Sequence, residues 1–153
     1  MDIKANRLWI RDFQLSDIQD AFLYLSDPLV MQYIEQPFTL EQTQGFVLNY
    51  GMQKHDIYAV ECRLTNTCIG HVIYHPFADE SSYEIGVILS RSYWGQGYAS
   101  EIMQSLIDHA KSTGITTVIV ETTPQNQPII RIAEKYHMTL LDSNPLLVYE
   151  LKL

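Results

Sequence analysis

The amino-acid sequence predicts a mixed α/β domain with a mostly antiparallel central sheet and flanking helices. Three observations carry that reading. After a first short strand, apolar residues repeat at helical spacing as far as Tyr50, then switch to a period of two from Ile57. The strands Ile57–Cys62, Cys68–Tyr74 and Tyr83–Leu89 follow one another across short connections, the arrangement of an antiparallel meander. The β-branched run Thr116–Thr122 is reached from Tyr83–Leu89 through a helix, and such a crossover makes the two strands parallel.

In order, Arg7–Phe13 alternates as a first strand. Ser16-Asp17-Ile18-Gln19 has the form of a capping box, and Ile18, Ala21, Phe22 and Leu25 continue at helical spacing until Asp27-Pro28 stops them. A short helical piece, Leu29–Ile34, ends near Pro37. Thr39-Leu40-Glu41-Gln42 is a second capping box, with Phe46, Val47 and Tyr50 on one face of its helix. Thr65-Asn66-Thr67 supplies the turn between the next two strands. Ala99, Ile102, Met103, Leu106, Ile107 and Ala110 form a broad helical stripe that Gly114 terminates. Pro124–Pro128 breaks the strand that follows, and Ile129, Ile132, Ala133 and Tyr136 face inward on a last helix. Strands at about Thr139–Leu141 and Leu146–Leu153 close the chain around Ser143-Asn144-Pro145.

At 153 residues, 46% hydrophobic and 18% charged, residues 1–153 form one ordinary domain with a real core. Ten Lys and Arg against eighteen Asp and Glu give a net charge of −8, which leaves little for a basic face and argues against a nucleic-acid partner. Two cysteines, Cys62 and Cys68, lie on neighbouring strands and read as free thiols of a reducing, cytoplasmic protein. No leader-like N-terminus and no apolar run long enough to span a bilayer are expected.

The most informative stretch is Glu84–Ser100. It reads as a strand, a connection, the turn Gly95-Gln96-Gly97 and the start of a helix. Gly95 and Gly97 let the backbone bend sharply, and the helix start offers unpaired N–H groups and the positive end of a dipole. Together they make a seat for a phosphate. A dinucleotide site is one candidate, since Gly-x-Gly-x-x-Ser departs from Gly-x-Gly-x-x-Gly only at Ser100, and Glu121 ends the next strand. The long connection from Leu89 to Gly95, the antiparallel strands before it and the single crossover helix count against it. A Walker loop is excluded because no Gly-Lys-Ser/Thr is present.

Tyr93-Trp94-Gly95-Gln96-Gly97-Tyr98-Ala99-Ser100-Glu101 instead resembles the acyl-coenzyme-A loop of the GNAT N-acetyltransferases, in the branch that includes ribosomal-protein N-terminal acetyltransferases. Trp94 stands where the family pattern has Gln or Arg. Glu84-Ile85-Gly86, the opening Arg7-Leu8-Trp9-Ile10-Arg11 and the order of elements are similar too. Asn126 begins an Asn-x-x-Ser/Ala-like segment in which Ile129 replaces the small residue.

The resemblance implies a pair of splayed parallel strands, Tyr83–Leu89 and Thr116–Thr122, with the pantetheine arm of acetyl-CoA between them. Backbone groups of Val87, Ile88 and Leu89 would pair with the arm. The turn from Trp94 through Gly95, Gln96, Gly97, Tyr98, Ala99 and Ser100 would hold the diphosphate, with Asn126 near the cofactor. Glu84 would be the catalytic base for a primary amine, on a small molecule or a peptide N-terminus. No metal is implied.

The general acid stays unassigned. Ala133 occupies the position where many relatives carry a tyrosine, Tyr136 lies one turn later in the apolar stripe, and His137-Met138 replaces a Gly-Phe. His71 and His75 share a strand face and either pack or handle substrate. An acyl-CoA-binding module with little catalysis is the alternative. A monomer or a homodimer is expected, with Leu147, Tyr149, Leu151 and Leu153 facing the core or a dimer edge.

Overall fold

A computed structural model describes residues 1–153. Eight strands form one sheet in the order β1-β2-β3-β4-β5-β6-β8-β7. The strands are β1 (Asp2–Lys4), β2 (Leu8–Arg11), β3 (Ile57–Cys62), β4 (Thr67–Pro76), β5 (Ser82–Leu89), β6 (Thr117–Thr122), β7 (Thr139–Asp142) and β8 (Leu147–Lys152). Every neighbouring pair is antiparallel except β5 and β6. The meander β3-β4-β5 and the parallel crossover are as the sequence predicts. One feature differs: the N-terminal strand β1 is an addition outside the expected Arg7–Phe13 strand. β8 inserts between β6 and β7, so the exposed β7 is an edge.

The helices are α1 (Ile18–Leu25), α2 (Pro28–Met31), α3 (Leu40–Phe46), α4 (Tyr98–Ser112) and α5 (Gln127–Lys135). α3 runs on into a π-helical segment, Val47–Gln53. Its predicted capping box is present: Thr39 Oγ1 accepts from the Gln42 amide at 3.2 Å and Gln42 Oε1 accepts from the Thr39 amide at 2.8 Å. The box expected at Ser16 is displaced. A 3₁₀ turn, Leu15–Asp17, precedes α1, and the Asp17 carboxylate accepts from the Gln14 amide at 2.8 Å. Asp17 wins that position because Arg11 binds both its oxygens, each at 2.8 Å, while reaching Glu61 on β3 at 2.8 Å.

The sheet divides the core in two. On one face α4 and α5 pack Ile102, Met103, Leu106, Ile107 and Ala133 over Leu8, Val72, Ile85 and Val118. On the other, α1, α2 and the π-helical segment after α3 bury Ala21, Tyr24, Leu25, Met31 and Val47 against Ile57 and Ala59. Cys62 and Cys68 are buried free thiols on opposite faces, one in each core. Tyr149 belongs to the larger core with Leu147, Leu151 and Leu153 packed against it, so that side of β8 faces inward. No helix is long and apolar enough to cross a membrane.

Candidate active site

The loop between β5 and α4 takes its shape from two glycines. Gly95 has φ +70° and Gly97, the residue before α4, has φ +82°, a region that side chains disfavour. The chain there turns its amides outward. From Gly95 to Ser100 no backbone N–H finds an acceptor within the protein, whereas the Glu101 amide returns to the Gly97 carbonyl at 3.1 Å. Consecutive free amides at the start of a 15-residue helix carry the partial positive charge that suits an anion.

Side chains brace this loop from behind. The Trp94 indole donates to the Leu89 carbonyl at 2.8 Å, and the Gln96 amide group donates to the Ser92 carbonyl at 2.7 Å. Arg7 supplies the strongest brace. Its Nη1 donates to the Gln96 carbonyl at 2.9 Å and its Nε to Glu101 at 2.7 Å, and its guanidinium lies 4.0 Å from the centre of the Tyr98 ring. The Arg7 amide also donates to Glu101, at 2.8 Å.

Below the loop the parallel strands part. β5 and β6 are in register at only Ser82/Thr117, Tyr83/Val118 and Glu84/Ile119. Past Glu84, β5 keeps its full pairing with β4, and β6 keeps its pairing with β8 to Thr122. Each strand is held on its far side while the facing edges separate. The Ser90 amide donates to Ile69 on β4 at 2.8 Å. Backbone groups alternate sides along a strand, so Ile88 bonds toward β4 while Val87 and Leu89 face the gap. Ile88 contributes its side chain to a cavity instead.

Glu84 sits where the gap opens, directly across from His75 on β4. Its carboxylate Oε2 lies 3.3 Å from His75 Nε2. Burial pushes the Glu84 carboxyl above the ordinary glutamate value; His75 opposes this, and the charge of Glu121 adds to it. His75 Nδ1 is 2.9 Å from the Pro76 carbonyl, which can only accept, so Nδ1 carries a hydrogen. A neutral ring would then turn a bare Nε2 toward the carboxylate.

A cavity of about 240 Å³ lies beside this pair, between the sheet and α1 to α3. His75 and Asp56 line both it and a more polar cavity of about 420 Å³. His71 forms part of its wall. Its Nδ1 is 3.0 Å from the Tyr24 hydroxyl, and burial pushes its pKa down to about 3, so the ring is neutral at pH 7.

Residues 7–139 match the family described as acetyltransferase (GNAT) domain. The chain belongs to that family. The uncharacterised N-acetyltransferase YnaD of Bacillus subtilis (strain 168) is 34% identical over 140 residues, spanning 90% of this chain and 82% of the relative. A GNAT-family acetyltransferase structure from Bacillus anthracis superposes with a TM-score of 0.91 at 32% identity, covering 99% and 98% of the two chains. The fold is also shared by RimL, a ribosomal L7/L12 α-N-protein acetyltransferase in complex with coenzyme A, with a TM-score of 0.81 at 21% identity, over 100% and 98% of the chains.

Within this GNAT fold, the residues expected near the cofactor fall into two groups. Trp94 to Ser100 form the braced loop, and Val87 and Leu89 lie on the open edge of β5. Asn126, half-buried, precedes α5; its carbonyl accepts from the Ile130 amide at 3.2 Å, but its side chain makes no capping bond to that helix. Ala133 is fully buried in the core. The Tyr136 hydroxyl donates to the Ser100 carbonyl at 2.8 Å, tying α5 to the first turn of α4. Nothing in the sequence marks Arg7 as the loop's brace, because its partners lie 89 and 94 residues away. The pairing of His75 with Glu84 is likewise legible only once the β4–β5 register is known.

Proposed function

We propose that this protein transfers an acetyl group from acetyl-CoA to a primary amine by direct attack within a ternary complex. The observation that carries the reading is the conjunction of a free-amide cradle, an open strand edge below it and a half-buried carboxylate where that edge begins. The residues fit the cosubstrate. The amides from Gly95 to Ser100, with Trp94 bracing them, would hold the diphosphate; Val87 would offer its N–H and C=O and Leu89 its N–H to the amide-bearing arm, the Leu89 carbonyl being taken by the Trp94 indole.

Acetyl-CoA supplies an activated thioester. The chain's own part begins with the amine, which must be neutral to attack. Glu84 takes the proton that nitrogen loses as the N–C bond forms and the C–S bond breaks. His75, shared between the two cavities, relays that proton toward solvent. Alignment of both reactants lowers the barrier by up to about 7–11 kcal/mol, and a base in reach adds about 10²–10⁴-fold. No protein acid is assigned to the departing sulfur, because Ala133 has no proton to give and Tyr136 is engaged with Ser100.

That missing donor favours a second reading, an acyl-CoA-binding module with little turnover. Calorimetry with acetyl-CoA followed by thiol release over a panel of amines separates the two. Binding with turnover supports the enzyme, binding with no turnover on any amine supports the module, and absence of binding sinks both.

A further inference from the structure

The cavity lined by His75, the partner of Glu84, is more specific than an opening for any amine. It is walled by Phe38, Phe46 and Tyr50, with Phe38–Phe46 and Phe46–Tyr50 ring centres 5.6 and 5.5 Å apart, and Ile73 and Ile88 from the sheet line it too. At about 240 Å³ it exceeds the roughly 150 Å³ that accommodates benzene and falls short of the roughly 300 Å³ at which drug-sized sites begin. That is room for one ring or a branched alkyl group on a short tether.

Glu35 and Asp56 are in its lining, and no lysine or arginine is. Lys54 sits 4.7 Å over the Tyr50 ring and lines the neighbouring cavity instead. His71 is neutral, and His75 faces Glu84. A carboxylate or phosphate on the acceptor would be buried without a counter-charge, and a second ammonium deep among the rings would lose its water. An ammonium held beside Glu35 or Asp56 would be attracted by a carboxylate, and by an aromatic face where it approaches Phe38, Phe46 or Tyr50.

Resting on the acetyl-transfer reading above, we infer that the acceptor is a compact apolar primary amine. It carries one aromatic ring or branched alkyl group and no anionic substituent. This sets it apart from amino acids, polyamines and peptide N-termini.

The test compares phenethylamine and 3-methylbutylamine with phenylalanine, spermidine and a short peptide, by kcat/KM in a thiol-release assay. The two apolar amines should lead the others by about tenfold or more, about 1.4 kcal/mol in transition-state binding. Ile34, which lines the cavity from an exposed turn, permits a plug: Ile34→Trp should cut kcat/KM for phenethylamine about tenfold and leave acetyl-CoA affinity unchanged. Asp56→Asn should raise its KM without lowering kcat. A titration of the free protein with phenethylamine, followed by NMR, should shift the Ile73 and Ile88 methyl signals whether or not turnover occurs.

Faster turnover of phenylalanine, spermidine or the peptide overturns the acceptor class and leaves acetyl transfer standing. So does an Ile34→Trp effect confined to longer acyl donors, which would make the cavity an acyl pocket. Failure of acetyl-CoA to bind removes the underlying function instead.

Discussion

Replacing Gly97 by alanine tests the cradle without touching any contact. A Cβ at Gly97 would meet only Arg7 Nη2, at 3.5 Å, an ordinary van der Waals distance. The whole effect is therefore conformational. Holding a non-glycine residue at φ +82° costs about 1–2 kcal/mol. If the free loop keeps its shape, folding stability falls by that amount, a loss of about 2–8 °C in Tm, and affinity for coenzyme A is unchanged. If it relaxes to negative φ, stability is spared, but the ligand must restore the strained turn, and Kd rises by about 5–30-fold. The two losses must sum to the strain, and protein saturated with coenzyme A must show it in full.

Calorimetry and thermal melts with and without ligand give both numbers. Pantetheine, which lacks the diphosphate, should bind the variant and the parent alike. Gly45→Ala is the control, because a Cβ there meets nothing within 4 Å and φ is not positive; it should stabilise the protein by about 0.4–1 kcal/mol. A Gly97→Ala protein as stable as its parent when saturated, or one that loses pantetheine and coenzyme A equally, refutes a diphosphate seat at this turn.

Glu84→Gln should lower kcat by about 10²–10⁴-fold with coenzyme A affinity unchanged. Activity of the parent should fall on the acid side at a pH above the usual glutamate range. His75→Gln should move that limb higher still, because His75 holds the carboxyl down against burial and Glu121. Burial of His71 makes a separate demand on stability. Its folded pKa of about 3 lies below the ordinary 6.5, so the unfolded chain takes up the proton first. Stability contributed by the neutral ring is complete above about pH 6.5 and is lost as pH falls toward 3, by at most about 1.4 kcal/mol per pH unit. Chemical denaturation of the Tyr24→Phe/His71→Leu double variant should show a flatter slope across that window. Arg7→Met keeps the stem but removes the bonds to Gln96 and Glu101, and it should weaken coenzyme A binding more than it lowers Tm.

Local chemistry explains how much of this was legible in the sequence. The glycine turn, the second capping box and the α4 stripe each depend on residues a few positions apart, and all three stand where the sequence places them. The resemblance at Tyr93–Glu101 carried the fold beyond what periodicity supports. The misses are long-range. Ser16 lost the first cap to Asp17 because a buried Arg11, shared with Glu61, fixes that carboxylate. β1 is too short to display a period, and it exists because β2 offers an edge. Arg7 as a brace and His75 as the partner of Glu84 follow from strand register, which one side chain's identity does not reveal.

The gap between β5 and β6 is stabilised from its flanks. β5 is saturated by β4 from Pro76/Tyr83 to Gly70/Leu89, and β6 by β8 from Thr117/Lys152 to Thr122/Leu147. Closing the gap would require one of those ladders to bend, so the facing backbone groups stay open to water or to an extended ligand. Alternation then makes a residue-by-residue forecast. In the free protein the amides of Gly86, Ile88 and Ser90, turned toward β4, should exchange slowly with deuterium, while those of Val87 and Leu89 exchange fast. Saturating acetyl-CoA should slow Val87 and Leu89 by about tenfold or more and leave the β4-facing set unchanged. Equal protection of both sets in the free protein would mean the strands are not parted. Unaltered exchange at Val87 and Leu89 with ligand bound would place the pantetheine arm somewhere other than this edge.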